Sequence, residues 1–323
     1  MQLISPSATE TEVKSERPPA SPARSRIRRA SIILLFLLPS VILYTVLVVV
    51  PIIQAAYYSL FRWDGLEPLV NFVGLHNYLL AFSNPVFLET FAHNLLIVAL
   101  SLCIELPFAL LVSLVIGKKL PGGMIFRAIF FMPFVISEVI AGVIWQFIYR
   151  PDGGLLDAIL QALNPHFQGG LWLADPRITL ICIFVVIVWK YFGLYVVLYT
   201  AAIQNVPDEI VEAARVDGAT GLQVTRYITI PLLGTTIRLS ILLSVLGSLQ
   251  IFDIIYVMTH GGPIHASEVF ATYLITYGIN AFAMGYGSAI GVVMFLTCFV
   301  FALMYQRFAM QRDVASSIAM QEA

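Results

Sequence analysis

The sequence predicts an all-α polytopic membrane protein with six transmembrane helices. Two observations of composition and one of pattern carry this. Of the 323 residues, 59% are hydrophobic and only 11% are charged, against about 25% charged in an ordinary soluble domain. Such a chain has too little polar surface to cover a water-soluble core, and it is far too apolar for disorder. The apolar residues fall in six continuous runs, each near the roughly 20 residues that a helix needs to cross the hydrocarbon. Strands of a membrane barrel alternate apolar and polar positions over about ten residues; these runs do not alternate.

Residues 1–28 are rich in Ser, Pro and charge, and read as a disordered cytosolic tail. Arg24, Arg26, Arg28 and Arg29 stand immediately before the first apolar run. That run continues from Ile32 to Leu60. It is too long for the roughly 7–15 residue core of a secretory signal, and no small-residue cleavage site follows. It is therefore expected to stay as an anchor. The expected spans are 32–60, 92–117, 126–149, 178–204, 236–258 and 287–308, within a membrane domain of 29–310. Residues 311–323 form a short cytosolic C-terminal tail.

Orientation follows from the basic residues, because loops on the cytosolic side carry the excess of Lys and Arg. With both termini inside, fourteen of the eighteen lie in the tails and inner loops. Only Arg62, Arg150 and Arg177 lie outside, and Lys190 lies within a span. The outer segments are 61–91, 150–177 and 259–286. The first carries the turn signals Asp64-Gly65 and Asn84-Pro85; the last opens with Gly261-Gly262-Pro263, a helix stop. The apolar stretch after that stop, VFATYLITYGINAF, reads as a short re-entrant or interfacial helix.

Several function classes drop out. The net charge of -1 gives no electrostatic footprint for nucleic acid. Cys103, Cys182 and Cys298 all sit in apolar runs, neither a disulfide framework nor a zinc site. The sequence contains no G-x-x-x-x-G-K-[ST] and no H-E-x-x-H. No nucleophile–base pair is evident within the spans, so no catalytic residue is assigned.

The longest inner connection, 205–235, has its own pattern. Pro207 suits a first helical position, Asp208 and Glu209 suit the positive end of the helix dipole, and Gly218 suits the stop. A second short helix follows, and Pro231 precedes the next span. By shape alone this segment is either a contact helix for another protein or an interfacial helix with no partner.

The residues go further. Glu212-Ala213-Ala214, Asp217-Gly218-Ala219 and Ile228-Thr229-Ile230-Pro231 resemble the EAA loop of binding-protein-dependent ABC importer permeases. Val73 to Tyr78 (VGLHNY), Arg127 to Trp145 and Phe252 to Pro263 resemble further motifs of the carbohydrate subfamily, of maltose and glycerol-phosphate type. The resemblance covers roughly 30–310. It implies half of a translocation pore in a bacterial inner membrane. It also implies a second homologous permease, two cytosolic ABC ATPases and an extracytoplasmic substrate-binding protein delivering a sugar or sugar derivative. ATP and Mg²⁺ would be bound by the partner ATPase, with no cofactor on this chain. Glu212, Ala213, Ala214, Asp217, Gly218, Ile228 and Pro231 would form the ATPase-coupling element, with Gly218 in a turn pressed close against that partner. The other class weighed, a stand-alone ion-coupled secondary transporter, commonly shows internal repeats; none is evident, and it would leave the EAA loop unexplained.

Ionisable residues inside spans are costly and usually functional. Away from the span ends there are four: Glu105, Glu138, Lys190 and Asp253. By position, the resemblance implies a substrate path through Trp189, Lys190, Tyr191 and Leu194 and through Ser244, Ser248 and Ile251. The last three share one helical face, equally readable as a packing seam. Lys190 near mid-membrane points either to an anionic sugar derivative or to an internal pair with Glu105 or Glu138. Asp253 would brace the outer end of the fifth span, or act near a gate. Glu105, just before Pro107, fits a packing contact with the partner permease at least as well as a transport role.

Overall fold

Prolines shape the long helices of this chain. The computed structural model describes residues 22–117, 123–151 and 153–310. Its helices in chain order are α1 (Pro22–Tyr44), α2 (Val50–Tyr58), α3 (His76–Ser83), α4 (Pro85–Leu100), α5 (Leu106–Ile116), α6 (Gly123–Val135), α7 (Glu138–Ile148), α8 (Leu155–Leu163) and α9 (Thr179–Gln204). They continue with α10 (Asp208–Val216), α11 (Gly221–Val224), α12 (Ile230–Leu232), α13 (Gly234–Gln250), α14 (Asp253–Thr259), α15 (Phe270–Tyr273) and α16 (Met284–Tyr305). Among the described residues, extended pairing is limited to one isolated antiparallel bridge between Phe61 and Phe72.

Three wide π turns join consecutive helices, and each ends two residues before a proline. Thr45–Val49 precedes Pro51, Ser101–Glu105 precedes Pro107, and Thr225–Thr229 precedes Pro231. A proline inside a helix has no N–H to give, and its ring presses on the carbonyl four residues back. Widening the turn accommodates both. The N–H groups of Val50, Leu106 and Ile230 each bond the carbonyl five residues back, on Thr45, Ser101 and Thr225.

Among the described residues, five helical stretches are long and apolar enough to cross a membrane: Ile33–Tyr58, Pro85–Ile116, Thr179–Gln204, Gly234–Thr259 and Met284–Ala309. The expected span 126–149 is not a single rod. Ile125–Val135 and Glu138–Ile148 meet at 97°, with the break at Ile136-Ser137 just after Pro133. The count is thus five spans, or six if the bent pair is one. The second span begins at Pro85 rather than at 92. Asn84 caps it by accepting the Val86 N–H at 2.9 Å, with Pro85 at the first helical position. The fifth is interrupted at Ile251-Phe252, between α13 and α14. The apolar stretch after Pro263 forms α15 and a π turn, Leu274–Ile279.

The chain forms two units, one up to Gln54 and one from Ala55. In the first, the described side chains from Ile33 onward are almost all exposed, as expected of a helix whose solvent is lipid. The second holds the core. Its central element is α9, which buries Ile183, Val186, Ile187, Val196 and Tyr199 and packs on α5, α6, α7, α13 and α14. Small residues let backbones touch here, as in other membrane bundles. A Cβ on Gly193 would sit 1.8 Å from the Phe130 carbonyl oxygen of α6. A Cβ on Gly278 would sit 2.5 Å from the Cα of Gly287 in α16. Residues 1–21 of the expected N-terminal tail, and all of the C-terminal tail 311–323, lie outside the described residues.

Candidate functional site: a hydroxyl-lined cavity and an exposed helix

Three helical segments line a partly open cavity of about 200 Å³. The π turn between α4 and α5 contributes Ser101 and Glu105. Helix α9 contributes Ile187, Tyr191, Leu194 and Tyr195. Helix α13 and the break after it contribute Leu243, Ser244, Gly247, Ser248 and Ile251. The structure thus brings together Tyr191, Leu194, Ser244, Ser248 and Ile251 of the expected substrate path. It does not bring Trp189 or Lys190 into that wall. Trp189 packs edge-on to Trp145, ring centroids 5.7 Å apart.

The geometry of the wall is set by polar links between the helices. Ser248 Oγ lies 3.4 Å from Ser101 Oγ. Asn94, fully buried, donates through Nδ2 to the Ser248 carbonyl at 3.0 Å and accepts the Phe270 N–H at 2.9 Å. One side chain therefore holds the end of α13, where the fifth span is interrupted, and the start of α15. Glu105 is 2% exposed, and its Oε1 has no hydrogen-bond partner.

Lys190 has another task. Its Nζ donates to the carbonyls of Ile136 at 2.5 Å and Phe134 at 3.3 Å. These are carbonyls at the end of α6, left without helical partners where the span breaks. Glu138 occupies the first turn of α7 and accepts a hydrogen bond from the Tyr191 hydroxyl. A cation thus sits at the C-terminus of one half-helix and an acid at the N-terminus of the next, each against the favourable end of the dipole. Lys190 makes no ion pair with Glu105 or Glu138 at hydrogen-bonding range; its bonds go to backbone. Asp253 is exposed in the first turn of α14, the position that an acid favours.

Helix α10 forms the second candidate surface. It has no fully buried residue. Asp208 and Glu209 open it and Arg215 lies in its last turn. Glu212, Ala213, Asp217, Gly218 and Pro231 are exposed; Ala214 and Ile228 are half-buried. Gly218 has φ of +86°, a region closed to most L residues, and a Cβ there would meet nothing within 4 Å. Within this chain, glycine is required by the backbone and not by crowding. Thr220 starts α11 with a capping box to Gln223. Between α10 and α11 lies a cleft of about 280 Å³, reached by Val211, Glu212, Arg215 and Val224.

A third recess, about 510 Å³, lies in the 61–91 loop against Phe282 and Tyr286. Asp64 organises its rim. Its carboxylate accepts the N–H groups of Leu66 and Glu67 at 2.9 and 3.0 Å, and these bonds hold its pKa below the ordinary 3.8. The sequence gives no sign of this recess, since it forms only where the 62–80 stretch, including the start of α3, meets residues 282–286 some two hundred positions away.

No protein-family model matches the sequence. Individual proteins do. A probable ABC transporter permease of Bacillus subtilis, YurN, is 34% identical over 276 residues, covering 85% of this chain and 94% of its own. The diacetylchitobiose uptake permease NgcF of Streptomyces coelicolor is 30% identical over 309 residues, covering 91% of this chain and 88% of its own. Among solved structures, a bacterial alginate ABC transporter in complex with an alginate pentasaccharide-bound periplasmic protein matches with a TM-score of 0.77. It has 22% identity and covers 88% of this chain and 95% of that chain. These likenesses each cover 85% or more of the chain and leave the stand-alone secondary transporter without support: the chain belongs to the family of ABC transporter permeases, multi-pass membrane subunits of transporters.

Proposed function

We propose that this permease forms one half of the pore of an ATP-driven importer for a sugar or sugar derivative. In this reading it pairs with a second homologous permease in a bacterial cytoplasmic membrane, with both termini cytosolic. A binding protein presents the solute from outside. Two ATPases, which carry the ATP and Mg²⁺, dock below, and the chain itself catalyses nothing and binds no cofactor. The observation that carries the reading is the cavity between the second, fourth and fifth spans, where serine and tyrosine hydroxyls line an otherwise apolar wall. Its volume is smaller than the roughly 300–1,000 Å³ of a complete ligand pocket, as befits a site completed by a second subunit. The names of the relatives point to the same solute class.

Helix α10 and the Gly218 turn are the proposed coupling element. They are exposed and polar, and the wide turn Thr225–Thr229 leads from them into α13. The test is Gly218→Trp in the assembled importer. A tryptophan there is strained by the positive φ and projects a large ring toward the docking partner. Solute-stimulated ATP hydrolysis and transport should both be lost, while the permease inserts in the membrane at its usual level. Transport at the normal rate would overturn the coupling role.

A further inference from the structure

Glu105 is a buried carboxyl group with one oxygen that the fold leaves without a partner. Resting on the importer reading, we propose that Glu105 is the side chain through which this permease reads its solute. Its free oxygen takes a hydrogen bond from a hydroxyl of an uncharged sugar, and acidic sugars are rejected.

The argument begins with the turn. The π turn Ser101–Glu105 ends two residues before Pro107, and it places both Ser101 and Glu105 on the cavity wall beside Ser248. Ser101 interacts with the carboxyl group, but Oε1 has no partner. An unsatisfied buried carboxyl oxygen costs stability, and such groups persist where function supplies the missing partner. Among the described residues no cation pairs with it. The cavity wall contains no Lys, Arg or His, and Lys190 spends its Nζ on the Phe134 and Ile136 carbonyls. A phosphate, sulfonate or uronate in this cavity would find a carboxyl group and no counter-charge. A neutral sugar offers the opposite: hydroxyl donors for Oε1 and acceptors for the serine hydroxyls.

The experiment uses the complete importer in proteoliposomes, with its permease pair, ATPases and binding protein. ATP hydrolysis is measured with diacetylchitobiose, maltose or trehalose, and with an alginate trisaccharide as the acidic probe. At least one neutral sugar should stimulate the wild type and the acidic one should not. Glu105→Gln should need about tenfold more of the effective sugar, since one carboxyl oxygen becomes an amide NH₂ and the sugar hydroxyl meets a donor where Glu105 offered an acceptor. Stimulation by the acidic probe, or a Glu105→Gln variant indistinguishable from wild type, overturns the proposal. A second measurement needs no solute. The thermal midpoint of the sugar-free complex should hold or rise in Glu105→Leu, because an unpaired buried carboxyl is removed. A fall in the midpoint, or separation of the permease pair, would instead assign Glu105 to an ion pair with the partner permease. If no sugar stimulates wild-type hydrolysis, the carbohydrate reading fails, and the midpoint alone decides whether Glu105 is unpaired.

Discussion

The ammonium group of Lys190 lies 2.5 Å from the carbonyl oxygen of Ile136, at the point where the third span breaks. A side chain of the fourth span therefore closes the end of a half-helix in the third. Lys190→Met should leave the Ile136 and Phe134 carbonyls orphaned at a cost of about 1–3 kcal/mol. The expected result is a lower thermal midpoint of the purified permease pair and less of it in the membrane. The sugar concentration for half-maximal transport should not change. A selective loss of affinity with normal stability would return Lys190 to the solute path.

Gly193 sets the approach of the third and fourth spans. Its missing Cβ would collide with the Phe130 carbonyl at 1.8 Å, and backbone cannot step aside as a side chain can. Gly193→Val should push α6 from α9 and cost more than the roughly 1–3 kcal/mol of ordinary overpacking. Gly247→Ala is the control, since nothing lies within 4 Å of a Cβ there. Detergent-resistant monodispersity of the two variants should separate them clearly.

Asn94 joins the interrupted fifth span to α15. Asn94→Leu keeps the volume but strands the Ser248 carbonyl and the Phe270 N–H, at about 1–3 kcal/mol for each buried orphan. Hydrogen exchange should rise at Phe270 and in the last turn of α13. Unchanged exchange at both would show that the two segments are held by packing alone.

The Asp64 turn is acid-sensitive in a defined direction. The folded state holds this carboxyl below 3.8 through the Leu66 and Glu67 N–H groups. The turn's contribution is therefore complete above the ordinary value and is lost as pH falls through the lower folded one. Trp63, whose Nε1 donates to the Glu67 carbonyl at 2.7 Å, reports it. Wild type and Asp64→Asn should differ in Trp63 fluorescence at neutral pH and converge only below pH 3.8. Convergence at a higher pH would contradict the geometry.

The proposed orientation is checked by thiol labelling in intact cells, in a variant without Cys103, Cys182 and Cys298. Leu66 and Ile264, 80% and 85% exposed, are suitable outer positions, and Val216, 87% exposed, is the inner one. Gly65 is a poor choice, because its φ of +92° and the 2.7 Å approach to Met284 penalise any side chain. An impermeant reagent should reach the first two and not the third. Labelling of residue 216 from outside would invert the topology.

The sequence made most of the helices legible because continuous apolar runs have one stable form in lipid. Helix α10 was equally legible, since Pro207, Asp208, Glu209 and Gly218 mark its two ends. The break at Ser137 was hidden because hydropathy averages across it; Pro133 was the available signal. Lys190 was read through its depth in the membrane, yet its partners are backbone carbonyls more than fifty positions away, which no local pattern encodes. For Glu105 the sequence leaves a packing contact and a transport role both open, because it does not show that Ser244 and Ser248 line the same cavity. Proline placed two residues after the end of a π turn occurs three times among the described residues; the prolines are in the sequence, but Pro39 and Pro133, with no such turn before them, show that proline alone does not mark one.

An α-helix advances about 100° per residue, so the extra residue held in each π turn shifts the phase of everything downstream. In the span from Pro85 to Ile116, the part that meets α13 and the part that meets α9 are consequently set by two different phases. A single deletion between Ser101 and Glu105 would leave length and hydropathy nearly intact, yet swing a new stripe of side chains toward the cavity. Insertions and deletions beside a proline thus offer these permeases a route to altered selectivity in which no wall residue is exchanged at all.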